Sequence, residues 1–253
     1  PSFDARSRLL QFRRLLAFDL RGVFLSVPFL VMLVFGLLNF LPSAFQAKSL
    51  YDTPIYPVTS QMLAQLQGAY SWLLVVIALF YSGELVWKER SAGMHEVSDA
   101  MPVPGGMPLA AKFLTLVAVV LSFQLAGGLA AAGVQLAKGY TEFEPLVYAK
   151  TLALDSVVYV LMGGLALCLQ VFTNSKFVGY ALLIGVMVLQ GVMGYLDLTH
   201  NLYSFGSWPI APYSDMNGYG HFARAQLWFQ AYWGALLLAM LLVAAAFWVR
   251  GVA

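Results

Sequence analysis

The sequence predicts an all-α, polytopic membrane protein that crosses the bilayer six times. Of its 253 residues, 60% are hydrophobic and only 10% are charged, whereas a soluble domain carries about 25% charged residues. Six stretches of the chain are apolar over about 20 residues, which is enough for a helix to cross about 30 Å of hydrocarbon. These stretches lack the alternation of apolar and polar residues that strands of a membrane barrel show, so each is expected to be helical.

The predicted spans form one domain over residues 1–253, and they are residues 23–41, 69–87, 113–137, 152–172, 177–196 and 227–249. The fourth and fifth spans are joined by residues 173–176 alone, which requires an antiparallel hairpin. Long outer segments follow the first span (42–68) and the fifth (199–226). Small-residue patches at 126–133 and 162–164 permit close approach of helices, either within this chain or between two chains.

Residues 1–22 form a separate element. Leu9, Phe12, Leu16, Leu20 and Val23 recur at helical spacing, and the arginines of this segment lie away from that stripe. The pattern is typical of a helix that lies in the membrane interface with its apolar side against the acyl chains. A charged topological anchor for the first span is the alternative.

The Lys and Arg residues predict the orientation of the chain, because cytoplasmic segments are enriched in them. With the N-terminus inside, the cytoplasmic segments hold ten: Arg6, Arg8, Arg13, Arg14, Arg21, Lys88, Arg90, Lys112, Lys176 and Arg250. The outer segments hold four: Lys48, Lys138, Lys150 and Arg224. Both termini are therefore predicted to be cytoplasmic. The net charge of +2 and the absence of a basic stripe with interleaved aromatic residues argue against a nucleic-acid partner.

The connection between the second and third spans, residues 88–108, is the most informative stretch. A short helix is expected there, with Met94, Val97 and Met101 on one side and His95, Glu96 and Asp99 elsewhere, ended by a run of Pro and Gly. Held between two spans, such a helix is suited to act as a lever for a soluble partner, and methionine suits a docking face. An ordinary loop helix that rests on lipid is the alternative. The predicted coupling residues are Glu84, Lys88, Glu89, Arg90, Met94, His95, Glu96, Val97, Asp99 and Met101.

This stretch resembles the coupling-helix region of type-2 ABC exporter permeases. The resemblance is carried by Glu89, Arg90, Gly93, Glu96, Ala100, Pro102, Val103 and Lys112, and the layout of an interfacial helix and six spans extends it over the whole chain. It implies a short cytoplasmic coupling helix that sits in a groove of separate ABC ATPase subunits. It further implies a second permease module, identical or not, that completes the pathway, and a bacterial cytoplasmic membrane as the location.

A narrower resemblance connects residues 80–104 and 200–222 to bacterial chains in which permease modules precede a zinc aminopeptidase domain. It implies a periplasmic peptidase domain as a further partner.

The sequence contains neither a zinc-peptidase motif nor an ATP-binding motif. His95-Glu96 is followed by Asp99 where the HExxH motif needs its second histidine, and no phosphate-binding G-x-x-x-x-G-K-[ST] motif occurs. We therefore expect no enzyme activity, metal or cofactor in this chain, with ATP and Mg²⁺ bound by the partner. Cys168, the single cysteine, is expected to be buried and inert.

The outer segment 199–226 is rich in aromatic and polar residues, and the resemblance implies short re-entrant helices there that cap the pathway. Two interpretations stay open: an outer gate or partner contact, and an aromatic belt at the membrane interface. The residues concerned are Tyr203, Phe205, Tyr213, Asp215, Asn217, Tyr219 and His221. Of the acids within spans, Asp155 is expected to be hydrated and structural, and Glu84 to belong to the coupling region.

The sequence thus predicts the membrane-spanning module of an ATP-driven exporter, which forms the translocation pathway and couples to a separate ATPase. The alternative is a non-transporting scaffold that anchors, or relays force to, an extramembrane partner such as a linked zinc aminopeptidase domain. An intramembrane enzyme is disfavoured because the spans lack converging acid, base or nucleophile pairs.

Overall fold

The computed structural model describes residues 4–46, 56–94, 103–209, 213, 214, 216 and 218–248. These residues form seven α-helices. They are α1 (Ala5–Phe24), α2 (Val27–Gln46), α3 (Thr59–Ser91), α4 (Met107–Ala137), α5 (Pro145–Thr173), α6 (Lys176–Tyr195) and α7 (Phe222–Ala246). Six of them, α2 to α7, are long and apolar enough to cross a membrane. The prediction of an all-α, multi-pass membrane protein with six spans is confirmed.

The end of α3 contacts the start of α4 through Glu89 and Lys112, and the start of α3 contacts the end of α4 through Thr59 and Gln135. These helices are therefore antiparallel, and the bundle has two distinct ends. One end, here called the basic end, carries the α1–α2 junction, the connections α3–α4 and α5–α6, and the end of α7. The opposite end, here called the loop end, carries the long connections α2–α3 and α6–α7 and the start of α5. The described residues of these connections form turns and irregular segments, and an isolated bridge joins Ser214 and Gly218.

The three helices α3, α4 and α5 form the centre of the bundle, and each packs against the other two. Helices α1 and α2 cover α4, and α2 also packs on α3, whereas α6 and α7 flank α5. Large side chains of α2, α3 and α4 fill the main core, including Phe40, Tyr70, Ile77 and Phe123. Cys168 of α5 lies fully buried in a second cluster with Trp233 and Leu237 of α7, as predicted.

Glycines let the central helices approach closely. A Cβ atom at Gly127 of α4 would lie 2.7 Å from Leu66 of α3, and one at Gly163 of α5 would lie 2.6 Å from Leu116 of α4. One at Gly164 would lie 2.7 Å from Leu237 of α7. The small-residue patches therefore serve contacts within this chain.

Four of the helices, α2, α3, α5 and α7, extend beyond the predicted spans at the loop end. Helix α3 begins at Thr59, ten residues before the predicted start at residue 69, and α5 begins at Pro145 instead of residue 152. Much of the predicted outer segment 42–68 is thus helical. The reason is that residues such as Met62, Leu63 and Leu66 continue the buried face of α3, although the polar residues between them lower the apolar content of the stretch.

Helix α1 is a separate element that ends at Phe24, two residues beyond the predicted boundary at residue 22. Ser26 breaks the helix: its Oγ donates to the Val23 carbonyl (2.7 Å) and accepts from the Phe29 amide (3.4 Å), so it caps the N-terminus of α2. The predicted first span, residues 23–41, therefore begins at Val27.

The apolar stripe of α1 meets protein. Val23 is buried and Phe12, Leu16 and Leu20 are partly buried, on a helix that packs chiefly against α4. Leu9, Phe18 and the arginines are exposed. The packing of α1 against α4 thus shields these four residues in full or in part, and contact of the stripe with acyl chains stays a prediction.

Candidate functional site

A buried ion pair joins the end of α3 to the start of α4 at the basic end. Lys112 Nζ donates to Glu89 Oε1 over 3.1 Å. The Lys112 side chain is only 1% exposed, whereas that of Glu89 is 25% exposed. A lysine buried this fully is rare unless it is paired, so the pair fixes the geometry of both helix ends.

Asp19 of α1 belongs to the same cluster. It is 2% exposed and lies within electrostatic reach of Lys112, Glu89 and Lys88. Burial raises the pKa of the Asp19 carboxyl above its ordinary value, the charge of Lys112 opposes that rise, Glu89 adds to it and Lys88 also opposes it. The Lys88 ammonium in turn lies 5.2 Å from the centre of the Phe18 ring. We call Asp19, Lys88, Glu89 and Lys112 the basic-end cluster; it connects three helices.

The α5–α6 hairpin is tied to α3 by two further contacts. Arg90 donates to the side chain of Asn174, which ends α5 in a left-handed conformation (φ 46°). Lys176 at the start of α6 lies 3.6 Å from Glu84. The Arg90 guanidinium also lies 5.0 Å from the Trp87 ring centre. The last two turns of α3 thus contact α1, α4 and the α5–α6 hairpin together.

The end of α3 explains one glycine of the sequence pattern. Gly93 has φ +67°, and its amide donates to Arg90 O while the Met94 amide donates to Glu89 O. This is a Schellman motif, in which the residue after the cap takes a left-handed conformation that favours glycine. Gly93 therefore stops α3 immediately after the charged run and directs the chain away from the helix axis.

The structure brings together only part of the predicted coupling set. Glu84, Lys88, Glu89 and Arg90 lie in the last two turns of α3, and Met94 is 59% exposed just beyond. The remaining predicted coupling residues, His95, Glu96, Val97, Asp99 and Met101, lie outside the described residues, as does the predicted short helix. Pro108 lies in the first turn of α4, where proline is well tolerated.

The sequence reasoning missed Asp19. It is the only acid in the α1 stretch Ala5–Phe24, among five arginines, and this isolation is the signal that would have indicated a specific partner. The pairing with Lys112 could not be read from the sequence because the two residues are 93 positions apart.

At the loop end, the predicted outer residues separate into different environments. Tyr203 is exposed and lies 5.5 Å, ring to ring, from His200, whereas Phe205 packs on Trp233 at 5.2 Å. His221 precedes α7 and its ring lies 4.1 Å from that of Phe222. Tyr213 and Tyr219 contact each other with their ring centres 5.4 Å apart.

Asp215 and Asn217 lie outside the described residues. The described part of 199–221 forms turns and irregular segments, whereas short re-entrant helices were expected there.

Tyr213 and Tyr219 line a cavity of about 670 Å³ at the loop end, together with residues of α3, α5 and α7. Its polar lining includes Gln67, Thr151, Asp155 and Gln226. Gln67 donates to the Asp155 carboxylate, and the Thr151 hydroxyl is hydrogen-bonded to the Tyr219 hydroxyl. Burial raises the pKa of Tyr219, and the bond to Thr151 opposes the rise. The sequence reasoning named Asp155 but missed this cavity, which depends on contacts between residues far apart in the chain.

Within the described ranges, no group of three or more His, Cys, Asp or Glu residues is arranged to hold a metal ion. Comparison of the sequence with models of known protein families and with curated proteins finds no match.

Proposed function

We propose that this chain is the membrane-spanning module of an ATP-driven exporter, and that residues 89–101 engage a separate ATPase. The observation that carries the proposal is the basic-end cluster. The Glu89–Lys112 pair (3.1 Å) closes the base of the connection between α3 and α4, so a partner that pulls on this connection moves both helices.

The contacts around the basic-end cluster support the proposal that the connection between α3 and α4 acts as a lever. Force on the connection reaches α1 through Asp19, and it reaches the α5–α6 hairpin through Arg90–Asn174 and Glu84–Lys176. Hydrogen bonds from Trp87 to Gln170 (2.8 Å) and from Gln170 to Ser82 (3.4 Å) connect α3 to α5 one layer deeper. A displacement at the basic end therefore extends into the centre of the bundle instead of being absorbed by a loose loop.

The distribution of charge supports an orientation with the basic end in the cytoplasm. Of the described Lys and Arg residues, nine lie at the basic end and three at the loop end. The nine are Arg6, Arg8, Arg13, Arg14, Arg21, Lys88, Arg90, Lys112 and Lys176, and the three are Lys138, Lys150 and Arg224. This bias is the one that cytoplasmic segments show. ATP and Mg²⁺ would be bound by the ATPase, which meets the module on this side, and a second module would complete the pathway.

A docking experiment tests the proposal. The tagged chain is purified from its native membranes, and ATP hydrolysis by the co-purifying proteins is measured for the wild type, Met94→Lys and Glu96→Lys. Leu25→Lys is the matched control, because Leu25 is another exposed apolar residue at the basic end (81% exposed). We expect Met94→Lys and Glu96→Lys to reduce the co-purified activity about tenfold, which corresponds to about 1.4 kcal/mol of binding free energy, and Leu25→Lys to retain it.

Two outcomes would contradict the proposal. Normal co-purified ATPase activity in both variants would mean that residues 89–101 do not form the docking element. If the wild-type chain retained no ATPase, and instead a peptidase or another extramembrane protein, the scaffold interpretation would replace the exporter.

A further inference from the structure

Among the residues that the structure describes, the Asp155 carboxylate at the loop-end cavity has no cationic partner. Asp155 lies ten residues after the start of α5, which places it about 15 Å along the helix at 1.5 Å per residue. Within the described ranges, the Gln67 amide is its one hydrogen-bond partner, and none of the ion pairs there involves it. An ionisable group within a span is costly unless it is paired or hydrated, and it usually marks a functional site.

Aromatic side chains line the same cavity as this carboxylate. Tyr159 lies one turn further along α5, Tyr213 and Tyr219 come from the outer segment, and Trp208 comes from the same segment closer to α6. The Tyr219 ring is held by the hydrogen bond to Thr151 and by its contact with Tyr213. Aromatic faces attract cations, and rings arranged around a pocket are a known way to bind quaternary ammonium groups.

The remaining lining suits the organic part of such a ligand. Leu63 and Ala64 of α3 and Leu154 and Val158 of α5 supply apolar surface. The volume of about 670 Å³ lies within the range of about 300–1,000 Å³ that small-molecule sites occupy. Asp155 is the only charged residue among the described residues that line the cavity, so the site favours a single positive charge.

We propose that the loop-end cavity binds a small organic cation, with its ammonium group against Asp155 and between the tyrosine rings. Gln67 orients the carboxylate and leaves most of its lone pairs free to accept hydrogen bonds. This inference goes beyond the proposed exporter function and does not depend on an ATPase partner, because the site lies entirely within this chain.

Binding is tested on the purified chain in nanodiscs of phosphatidylcholine, by isothermal titration calorimetry. The probe is benzyltrimethylammonium, and benzyl alcohol and benzoate serve as its neutral and anionic counterparts. We expect saturable binding of the cation alone. We expect Asp155→Asn to weaken it about tenfold or more, a loss of the size of one well-placed charge contact. Glu144→Gln is the matched control, because Glu144 is an exposed acid at the start of the same helix, and it should bind as the wild type does.

Two results would overturn the proposal. The first is that the wild-type chain binds the cation no better than it binds benzyl alcohol. This comparison needs no variant, so a folding defect cannot explain its result. The second is an Asp155→Asn variant that remains folded and binds the cation with wild-type affinity. Gln67→Leu provides a second variant: it removes the amide that orients the carboxylate, and we expect it to weaken binding of the cation.

Discussion

Lys112→Met is expected to lower the free energy of unfolding by about 3 kcal/mol, since removal of one partner from a buried ion pair leaves the other charge unpaired. Lys112 is 1% exposed and faces both Glu89 and Asp19. Without it, Asp19, which is 2% exposed, loses the cation that contributes most to keeping it ionised. The measurement is chemical or thermal unfolding of the purified chain in detergent.

The effect of Lys112→Met should depend on pH. The pKa of Asp19 is raised in the folded protein, so folding favours its protonated form, and the stability that this contributes is complete below the unfolded value of 3.8. That stability is lost as the pH rises through the folded pKa. Removal of Lys112 raises this pKa further, so the variant should lose more stability at neutral pH than at pH values near the unfolded pKa. Asp19→Asn added to Lys112→Met should reduce this dependence, since it removes the Asp19 carboxyl and leaves that of Glu89.

Lys176→Met is the control for this prediction. Its pair with Glu84 spans 3.6 Å, and the two side chains are 33% and 43% exposed, so water screens the interaction and its loss should cost less than about 1 kcal/mol. Equal losses in the two variants, or a Lys112→Met variant as stable as the wild type, would show that the basic-end cluster does not hold the helices together.

Gly163→Leu should also be strongly destabilising. A Cβ atom at this position would lie 2.6 Å from Leu116 Cδ2 of α4 and 3.3 Å from Ala78 Cβ of α3, so a leucine side chain has no room where three central helices meet. Overpacking of this kind costs about 1–3 kcal/mol. For a chain of this size, about 2 kcal/mol corresponds to a fall in Tm of roughly 4–8 °C.

The matched control is Gly133→Leu in α4. Nothing lies within 4 Å of a Cβ atom built there, and the gain in helix propensity from glycine to leucine is similar at both sites. A fall in Tm for Gly163→Leu and little change for Gly133→Leu would support the packing of α3, α4 and α5. Similar changes in both variants would contradict it.

The centres of the spans could be predicted from the sequence, whereas several of their ends could not. Apolar content reports the thickness of the bilayer, so it locates the middle of each helix well. It does not report where hydrogen bonding stops. Helix α3 therefore begins at Thr59 within a glutamine-containing stretch, because Met62 and Leu66 still face the core. The break between α1 and α2 depends on the hydrogen bonds of one side chain, Ser26, which apolar content does not report.

The basic-end residues of α3 could be predicted as a group because Glu84, Lys88, Glu89 and Arg90 lie close together in the sequence. Their partners could not. Asp19, Lys112 and Asn174 come from three other parts of the chain, and only the packing of α1, α4 and α5 on α3 brings them together. The same is true of the loop-end cavity, in which Thr151 meets Tyr219 across 68 residues.

The proposed transport function depends on the basic end facing the cell interior, and site-directed labelling tests this most directly. Cys168, the only cysteine, is buried, so single cysteines can be introduced at exposed positions of either end without competing reaction. Ala92→Cys probes the basic end and Glu142→Cys probes the loop end, and each is treated in spheroplasts with a membrane-impermeant maleimide. We expect Glu142→Cys to react in intact spheroplasts and Ala92→Cys to react only after permeabilisation. Reaction of Ala92→Cys in intact spheroplasts would place the connection between α3 and α4 outside the cell, where no ATPase could engage it.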